Sequence, residues 1–139
     1  MEELAQEIGN LRYDVLADFL GDLAKNIDEM EVVSNLTHAR DLIDYAWEKI
    51  CQKYDNSMHP TMLMDDDNPI SVYGIAGILA HGFSYLWVAD FLEDLANDIK
   101  KQSNADFERK RPKLAGLLSK TAAELYRASN QLDEILKRC

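Results

Sequence analysis

Residues 68–89 read NPISVYGIAGILAHGFSYLWVA, a run of 22 positions without Asp, Glu, Lys or Arg. In a chain that is 29% charged, such a run must be shielded from water, so we expect the other segments to cover it. Asn68 suits a helix N-cap and Pro69 suits the first helical position. Beyond the run the pattern becomes amphipathic, so the sequence predicts a third helix over residues 69–101 that is buried in its first half.

A membrane span is the alternative interpretation of this run, because its length is sufficient to cross a bilayer. His81 and two serines dilute the apolar character, and no positively charged flank sets an orientation. We therefore favour a buried helix. The glycines within residues 74–82 indicate close approach by a neighbouring helix, or else a small apolar ligand that lies against bare backbone.

Apolar residues at three- and four-residue spacing predict the other helices. The first helix is predicted over residues 2–29, and its apolar stripe comprises Leu4, Ile8, Leu11, Val15, Phe19, Leu23, Ile27 and Met30. Arg12 lies beside this stripe, so we expect it to pair with a carboxylate or to lie at the edge of the stripe. A second helix is predicted over residues 34–54 with Ser34 as its N-cap, and a final helix runs from residue 104 or 112 to 137.

These segments predict one all-α domain over residues 1–139, folded as an antiparallel four-helix bundle. Two segments also resemble each other: LADFLGDLAKNI at 16–27 and VADFLEDLANDI at 88–99 share eight of twelve residues. This internal repeat suggests two duplicated αα-hairpins, although accidental similarity between acidic, leucine-rich helices would explain it equally well. The bundle prediction does not depend on duplication.

The overall charge excludes several classes of partner. The net charge of −10 argues against binding to nucleic acid and against binding to an anionic membrane surface. Only Cys51 and Cys139 are present, so no disulfide framework is expected and a reducing compartment is favoured. The acidic start MEELAQEIGN does not resemble a signal peptide. A cytoplasmic location is therefore expected.

The repeat carries two like-charge pairs at i,i+4: Asp18 with Asp22, and Asp90 with Asp94. Such pairs destabilise an isolated helix slightly, so they need an explanation. By helical projection, Asp22 and Asp94 border the apolar stripes, which makes them weak candidates for ligands of a divalent metal between the hairpins. Solvated acidic flanks explain the pattern better, so we expect neither a cofactor nor catalytic residues.

An enzyme remains an alternative function. Glu2, Glu3 and Glu7 precede an acidic helix, as in divalent-metal-dependent all-α nucleotide pyrophosphohydrolases. The spacing departs from the Glu-Glu-x-x-Glu form of those enzymes, and the second helix offers no convincing Glu-x-x-Asp partner. This alternative predicts stabilisation by Mg²⁺ or Mn²⁺ that is lost in Asp22→Ala or Asp94→Ala.

The distribution of charge points instead to protein binding. Residues 1–31 contain nine acids and two bases, while residues 100–113 form the one basic segment. An acidic helical surface would attract a protein partner with a basic surface and speed its association. The candidate partner-binding residues are Glu7, Asp14, Asp18, Asp22, Arg109, Lys110 and Arg111.

We therefore predict a non-enzymatic protein-protein interaction module, such as an inhibitor, an immunity or antitoxin-like partner, or an accessory subunit. The metal-dependent enzyme and the small apolar-ligand carrier stay open as alternatives. A homodimer also stays open, either through the aromatic third helix or through contact between the basic segment of one copy and the acidic surface of another.

Overall fold

The computed structural model describes residues 2–53 and 85–138, and every element in these two ranges is an α-helix. The helices are α1 (Glu2–Gly9), α2 (Tyr13–Lys25), α3 (Met30–Lys53), α4 (Tyr85–Glu108) and α5 (Pro112–Arg138). The predicted all-α class is confirmed. Most of the uncharged run, including the proposed ligand site at residues 74–82 and the predicted helix start at Asn68, lies outside the described residues.

The prediction of one continuous helix over residues 2–29 is wrong. The helix is interrupted between Gly9 and Tyr13, where Arg12 adopts an extended conformation with φ −57° and ψ 143°. The interruption lets α1 turn back onto α4, where the side chain of Gln102 donates a 2.7 Å hydrogen bond to the carbonyl of Gly9. That carbonyl lies at a helix end and would otherwise need another partner. Gly9 and Asn10 are weak helix formers, and this tertiary contact stabilises the helix end that they form.

Two other helix boundaries differ from their predictions. The helix α3 begins at Met30, not at Ser34, because the amide of Val33 already donates to the carbonyl of Glu29 at 2.9 Å. This earlier start brings Val32 into the core, where it is fully buried. Of the two predicted starts of the last helix, Pro112 is correct, as expected for a residue whose fixed φ and missing amide suit the first helical position.

The helix α4 continues seven residues beyond its predicted end at residue 101, through a polar stretch that resembles a linker. Two polar side chains of this stretch are buried, and each has a partner in α5 or in the turn before it. Ser103 is buried and its hydroxyl donates a 2.7 Å hydrogen bond to the carbonyl of Ala115. Asp106 is also buried and pairs with Arg111. Because a buried polar group is tolerated when it has a partner, these contacts allow the helix to continue.

The helix pairs in closest contact are α4 with α5, α3 with α5, α2 with α3, and α1 with α4. Two of these pairs are antiparallel. In α4 and α5, Ser103 bonds to Ala115 near one end and the hydroxyl of Ser129 donates to the carbonyl of Ala89 near the other. In α2 and α3, Arg12 lies over the ring of Trp47, while the side chain of Arg40 lies against Gly21.

The predicted apolar stripes form the core in most positions. The fully buried side chains include Phe19, Leu20, Leu23, Leu36, Ile43, Ile50, Phe91, Leu92, Leu95, Leu118, Leu125 and Leu132. Met30 is an exception, since 85% of its surface is exposed although it was predicted to belong to the first stripe. Its position is explained by the start of α3, which turns Val32 inward in its place.

Five residues of the uncharged run are described, and they are only partly hidden. Val88 and Ala89 are buried, whereas Leu86 and Trp87 are 53% and 49% exposed. Trp87 and Leu86 thus depart from the prediction that the whole run is shielded. None of the described helices is both long enough and apolar enough to cross a membrane.

The turn between α4 and α5 is a Schellman motif that is closed by a lysine. The amide of Arg111 donates to the carbonyl of Asp106 at 2.8 Å, and the amide of Lys110 donates to the carbonyl of Phe107 at 3.1 Å. This pattern requires a left-handed residue, and Lys110 fills the position with φ 63°. A residue with a Cβ atom is strained there, by about 1–2 kcal/mol.

We therefore expect Lys110→Gly to raise the free energy of unfolding by about 1 kcal/mol, because glycine relieves the strain at this φ. Urea denaturation of the purified variant would measure the change. Lys110→Ala is the control, since it removes the same charge but keeps the Cβ atom. Equal effects of the two substitutions would mean that strain at this turn is not the cause.

Candidate functional site

The carboxylates of α2 and α3 form an acidic cluster on the surface. Burial, and then the charges of Asp14 and Asp44, raise the pKa of Asp18 above its ordinary value of 3.8. Asp18 is exposed on α2, and Asp44 is exposed on the neighbouring helix α3. Neither carboxylate has an ion pair within the described residues. We call Asp14, Asp18 and Asp44 the acidic face.

Asp14 differs from the other two residues of the acidic face because it is neutralised locally. Both of its carboxylate oxygens accept hydrogen bonds of 2.7 Å from the guanidinium of Arg12, which also lies 5.1 Å from the ring centroid of Trp47. Burial alone would raise the pKa of Asp14, but the Arg12 contacts and the amide of Val15 outweigh it and lower the pKa below 3.8. The expected pairing of Arg12 with a carboxylate is confirmed.

An exposed tyrosine follows one residue of the acidic face in the sequence. Tyr45 follows Asp44 directly on α3, and 47% of its surface is exposed. The ammonium of Lys49 lies 5.0 Å from its ring centroid. The ring also borders a shallow depression between α3 and α5, together with Leu42 and Glu124. Tyrosine is a residue type that is enriched in protein interfaces, because it combines a large apolar ring with a polar tip.

The basic candidates lie in the turn between α4 and α5, and they have two different environments. Arg109 and Lys110 are exposed to solvent. Arg111 has a side chain that is only 15% exposed, and its guanidinium forms a 3.1 Å ion pair with Asp106, whose side chain is 5% exposed. This pair joins the end of α4 to the start of α5, which gives Arg111 a structural role in the turn.

The two metal candidates lie in different surroundings. Asp94 lines a cleft of about 300 Å³ with Glu2 and Gln6 of α1 and Asp98 of α4. Asp22 does not line this cleft, and it is half-buried on α2. Within residues 2–53 and 85–138, no group of three or more His, Cys, Asp or Glu side chains could hold a metal ion.

A polar network connects the break between α1 and α2 to α4. The phenol of Tyr13 donates a 2.6 Å hydrogen bond to the side-chain carbonyl of Gln102. The amide nitrogen of Gln102 donates to the carbonyl of Gly9 at 2.7 Å and to Asp98 at 3.0 Å. Burial, followed by the charges of Asp106 and Asp98, raises the pKa of Tyr13 far above 10, so its phenol stays a proton donor. Burial likewise raises the pKa of Asp98.

The sequence identified some of these residues and not others. Glu7 was predicted to bind a partner, but it does not belong to the acidic face. It is exposed on α1, which packs mainly against α4, whereas the acidic face lies on α2 and α3. Asp44 was not a predicted site residue, because only the pairing of α2 with α3 brings it to Asp18. Gln102 was also missed, since it lies in a polar stretch that resembles a linker. No family model, curated protein or solved structure matches this chain.

The opposite pKa shifts of two neighbouring aspartates predict opposite effects on stability. The raised pKa of Asp18 means that its ionisation weakens the fold. At neutral pH, we expect Asp18→Asn to raise the free energy of unfolding by about 0.3 kcal/mol. This gain should disappear as the pH falls through the folded pKa of Asp18, because the wild-type carboxyl then becomes neutral too. Chemical denaturation at a series of pH values would measure it.

Asp14→Asn is the matched control on the same helix. The lowered pKa of Asp14 means that its ionised form contributes stability above pH 3.8, and that this contribution is lost as the pH falls through its folded pKa. We expect the variant to lose about 0.5 kcal/mol at neutral pH, since the Arg12 pair is broken. A gain from both substitutions, or a loss from both, would contradict the assignment.

Proposed function

We propose that this chain is a non-enzymatic protein-binding module, and that its acidic face docks on a protein partner with a basic surface. The observation that carries the proposal is the position of Asp18 and Asp44 on neighbouring helices, where neither carboxylate has an ion pair among the described residues. Burial, and then the charges of Asp14 and Asp44, raise the pKa of Asp18, so these neighbouring acids disfavour its ionised form. A basic partner would remove this repulsion on binding.

The exposed Tyr45 supports the same surface. Interfaces are enriched in tyrosine, and binding energy is often concentrated in such an aromatic residue. Under this proposal the partner extends from Asp18 and Asp44 across α3 to the exposed ring of Tyr45. Under this proposal the charges supply rapid and selective association, and burial of the tyrosine ring slows dissociation. An inhibitor, an immunity or antitoxin-like partner and an accessory subunit all fit this description.

We further propose that the helices form an antiparallel four-helix bundle of two duplicated hairpins. The observation that supports it is a contact between equivalent residues of the repeat. Phe19 and Phe91 occupy the same position in the two copies, and their rings meet edge to face with centroids 5.8 Å apart. Contact between equivalent residues is what a two-fold axis between two copies produces. The bundle would leave α2 and α3 adjacent, as the acidic face requires.

Charge reversal tests the proposed binding surface. Tagged wild-type protein is used to capture partners from an extract of the source cell, and the captured proteins are identified by mass spectrometry. We expect a basic protein whose capture is abolished by Asp18→Lys with Asp44→Lys. The capture should also be lost near 1 M salt, where the screening length is about 3 Å. Tyr45→Ala should weaken it without changing the charge.

The matched control is Asp90→Lys with Glu93→Lys, which makes the same change in net charge at two exposed acids of α4. This control should capture the basic protein as the wild type does. If both double variants lose the partner equally, binding depends only on net charge and not on the acidic face. If neither loses it, the acidic face is not the binding surface.

A further inference from the structure

The turn between α4 and α5 and the start of α5 hold a concentration of positive charge that the fold uses only in part. Residues 109–120 contain five of the fifteen Lys and Arg residues of the chain, and neither Asp nor Glu. Arg111 forms the ion pair that joins the two helices. Arg109, Lys110 and Lys113 are exposed, and none of them forms an ion pair within the part of the chain that the structure describes. Their charges therefore contribute little to holding the helices together.

Two residues of this region are not the ones that would stabilise the fold best. Lys110 has a φ of 63° at the left-handed position of the Schellman motif, where glycine is the residue without strain. Gly116 lies in the second turn of α5, where alanine would favour the helix. It is exposed, and a Cβ atom at this position would have no other element of the described chain within 4 Å. Packing among the described residues therefore does not require a glycine.

These two residues lie at the same end of the α4–α5 pair as an exposed aromatic ring. The hydrogen bond from Ser103 to the carbonyl of Ala115 fixes how the two helices align. Phe107 lies one turn beyond Ser103 on α4, and Gly116 directly follows Ala115 on α5. The side chain of Phe107 is 68% exposed, and Lys110 lies in the turn between the two helices. We call this surface the basic patch, and it comprises Phe107, Arg109, Lys110, Lys113 and Gly116.

The composition of the basic patch suits contact with another molecule. Residues that break a local rule without stabilising the fold are expected where a protein functions. A lysine at a strained position supplies a charge that glycine lacks. A glycine on an exposed helix lets a second backbone come close. An exposed aromatic ring supplies apolar area that a partner can cover.

We propose that the basic patch is a second docking surface, and that it binds an acidic segment of a protein partner. Carboxylates of the segment lie against Arg109, Lys110 and Lys113. An apolar side chain of the segment packs on Phe107, and its backbone passes over Gly116. The opposite charges of patch and segment give rapid and selective association. This inference does not depend on the acidic face, which would bind a partner of the opposite charge.

A nucleic acid or an anionic membrane suits the basic patch less well than an acidic segment of a protein. Both are extended arrays of negative charge, whereas this chain carries a net charge of −10. Such an array would also face the acids outside the basic patch, of which the exposed Glu108 is the nearest in sequence, and would be repelled by them. A short acidic segment needs to contact only the basic patch. The charge distribution therefore favours a protein as the partner.

Selection from a random peptide library displayed on phage tests this surface without knowledge of the partner. The library is selected on the full chain, and the bound pool is sequenced. We expect enrichment of peptides in which several Asp or Glu residues flank an apolar residue. This enrichment should vanish with the double variant Lys110→Glu and Lys113→Glu. It should persist with Lys25→Glu and Lys137→Glu, the matched control, which makes the same change in net charge at exposed lysines outside the basic patch.

The same selection separates this inference from the proposed function of the acidic face. That face would enrich basic peptides, which should be lost with Asp18→Lys and Asp44→Lys but kept with Lys110→Glu and Lys113→Glu. The inference is wrong if no acidic peptide is enriched, or if the two lysine double variants have equal effects. It is also wrong if a DNA duplex or a vesicle containing phosphatidylserine binds the patch more tightly than the enriched peptides. Circular dichroism shows whether each variant folds.

An enriched acidic peptide then tests the individual residues of the basic patch by fluorescence anisotropy. Phe107→Ala should raise the dissociation constant of the peptide by about tenfold, because it removes the aromatic side chain that the peptide covers. Lys110→Gly should raise it by about fivefold, because one charge of the patch is lost. Lys110→Arg keeps both the charge and the strained backbone, so it should bind as the wild type does.

Two substitutions distinguish a binding role from a structural one. Lys110→Gly and Gly116→Ala should both raise the urea concentration at the midpoint of unfolding, because each replaces a residue with one that suits its backbone position better. Under this inference both should also weaken binding of the acidic peptide, Gly116→Ala by obstructing its backbone. If the two variants gain stability while the dissociation constant of the peptide stays unchanged, the basic patch is not a docking surface.

Discussion

Phe19→Ala is expected to lower the free energy of unfolding by about 3–5 kcal/mol, the range seen when a large aromatic side chain is removed from a core. Phe19 is completely buried, and its ring meets the ring of Phe91 edge to face at 65°. The substitution removes apolar surface from the core and leaves a cavity between α2 and α4. Urea denaturation followed by circular dichroism would measure the loss.

The matched control is Phe107→Ala, which removes the same side chain at a position that is 68% exposed. Its effect should stay within about 0.5 kcal/mol. A double-mutant cycle of Phe19→Ala with Phe91→Ala should show coupling of about 0.5–1.5 kcal/mol, the contribution of the ring pair beyond burial. If Phe19→Ala costs no more than Phe107→Ala, the two halves of the repeat do not meet as described.

The two phenylalanines also show why much of the fold was predictable from the sequence. Each lies in a segment whose apolar residues recur at helical spacing, and burial of such a stripe is the main source of helix stability in a protein. The fully buried residues of α3, from Leu36 to Ile50, follow the same spacing. The start of α5 at Pro112 depends on the geometry of proline itself, so it too can be predicted from the local sequence.

Two of the incorrect boundaries depend on residues distant in sequence. The bend before Arg12 is held by Gln102, which lies 93 positions after Gly9, and no local pattern contains that contact. The extension of α4 depends on Ala115, which accepts the hydroxyl hydrogen of Ser103. A polar residue in a linker and a polar residue that is buried with a partner have the same appearance in a sequence. Only the packing of a second helix distinguishes them.

The candidate site was predicted in part for a similar reason. Asp14 and Asp18 were identified from the excess of acids in residues 1–31, which can be counted from the sequence alone. Asp44 joins them only through the antiparallel pairing of α2 with α3, and its contribution is seen in the raised pKa of Asp18. Counting charges gave Arg109 and Arg111 the same predicted role in binding a partner. In the structure Arg109 is exposed, whereas Arg111 forms a nearly buried ion pair with Asp106.

Arg111 yields the second large expected effect. Arg111→Met should lower the free energy of unfolding by about 3 kcal/mol, because it removes the guanidinium that pairs with the buried carboxylate of Asp106. Methionine keeps much of the apolar volume of the arginine stem, so the loss reports mainly the charge. Urea denaturation at neutral pH would measure it. If Arg111 served only to bind a partner, its substitution would leave the free energy of unfolding unchanged.

The matched control is Arg127→Met, which breaks the pair of Arg127 with Glu124 on the surface of α5, where 63% of the arginine side chain is exposed. The Glu124 side chain is 14% exposed, but the guanidinium lies in solvent, so we expect this variant to lose about 1 kcal/mol at most. Adding Asp106→Asn to Arg111→Met should recover part of the loss, because an amide is less costly to bury than an unpaired charge. If Arg111→Met and Arg127→Met lose the same amount, the turn between α4 and α5 does not depend on its ion pair, and Arg111 is then available to bind a partner as its neighbour Arg109 is.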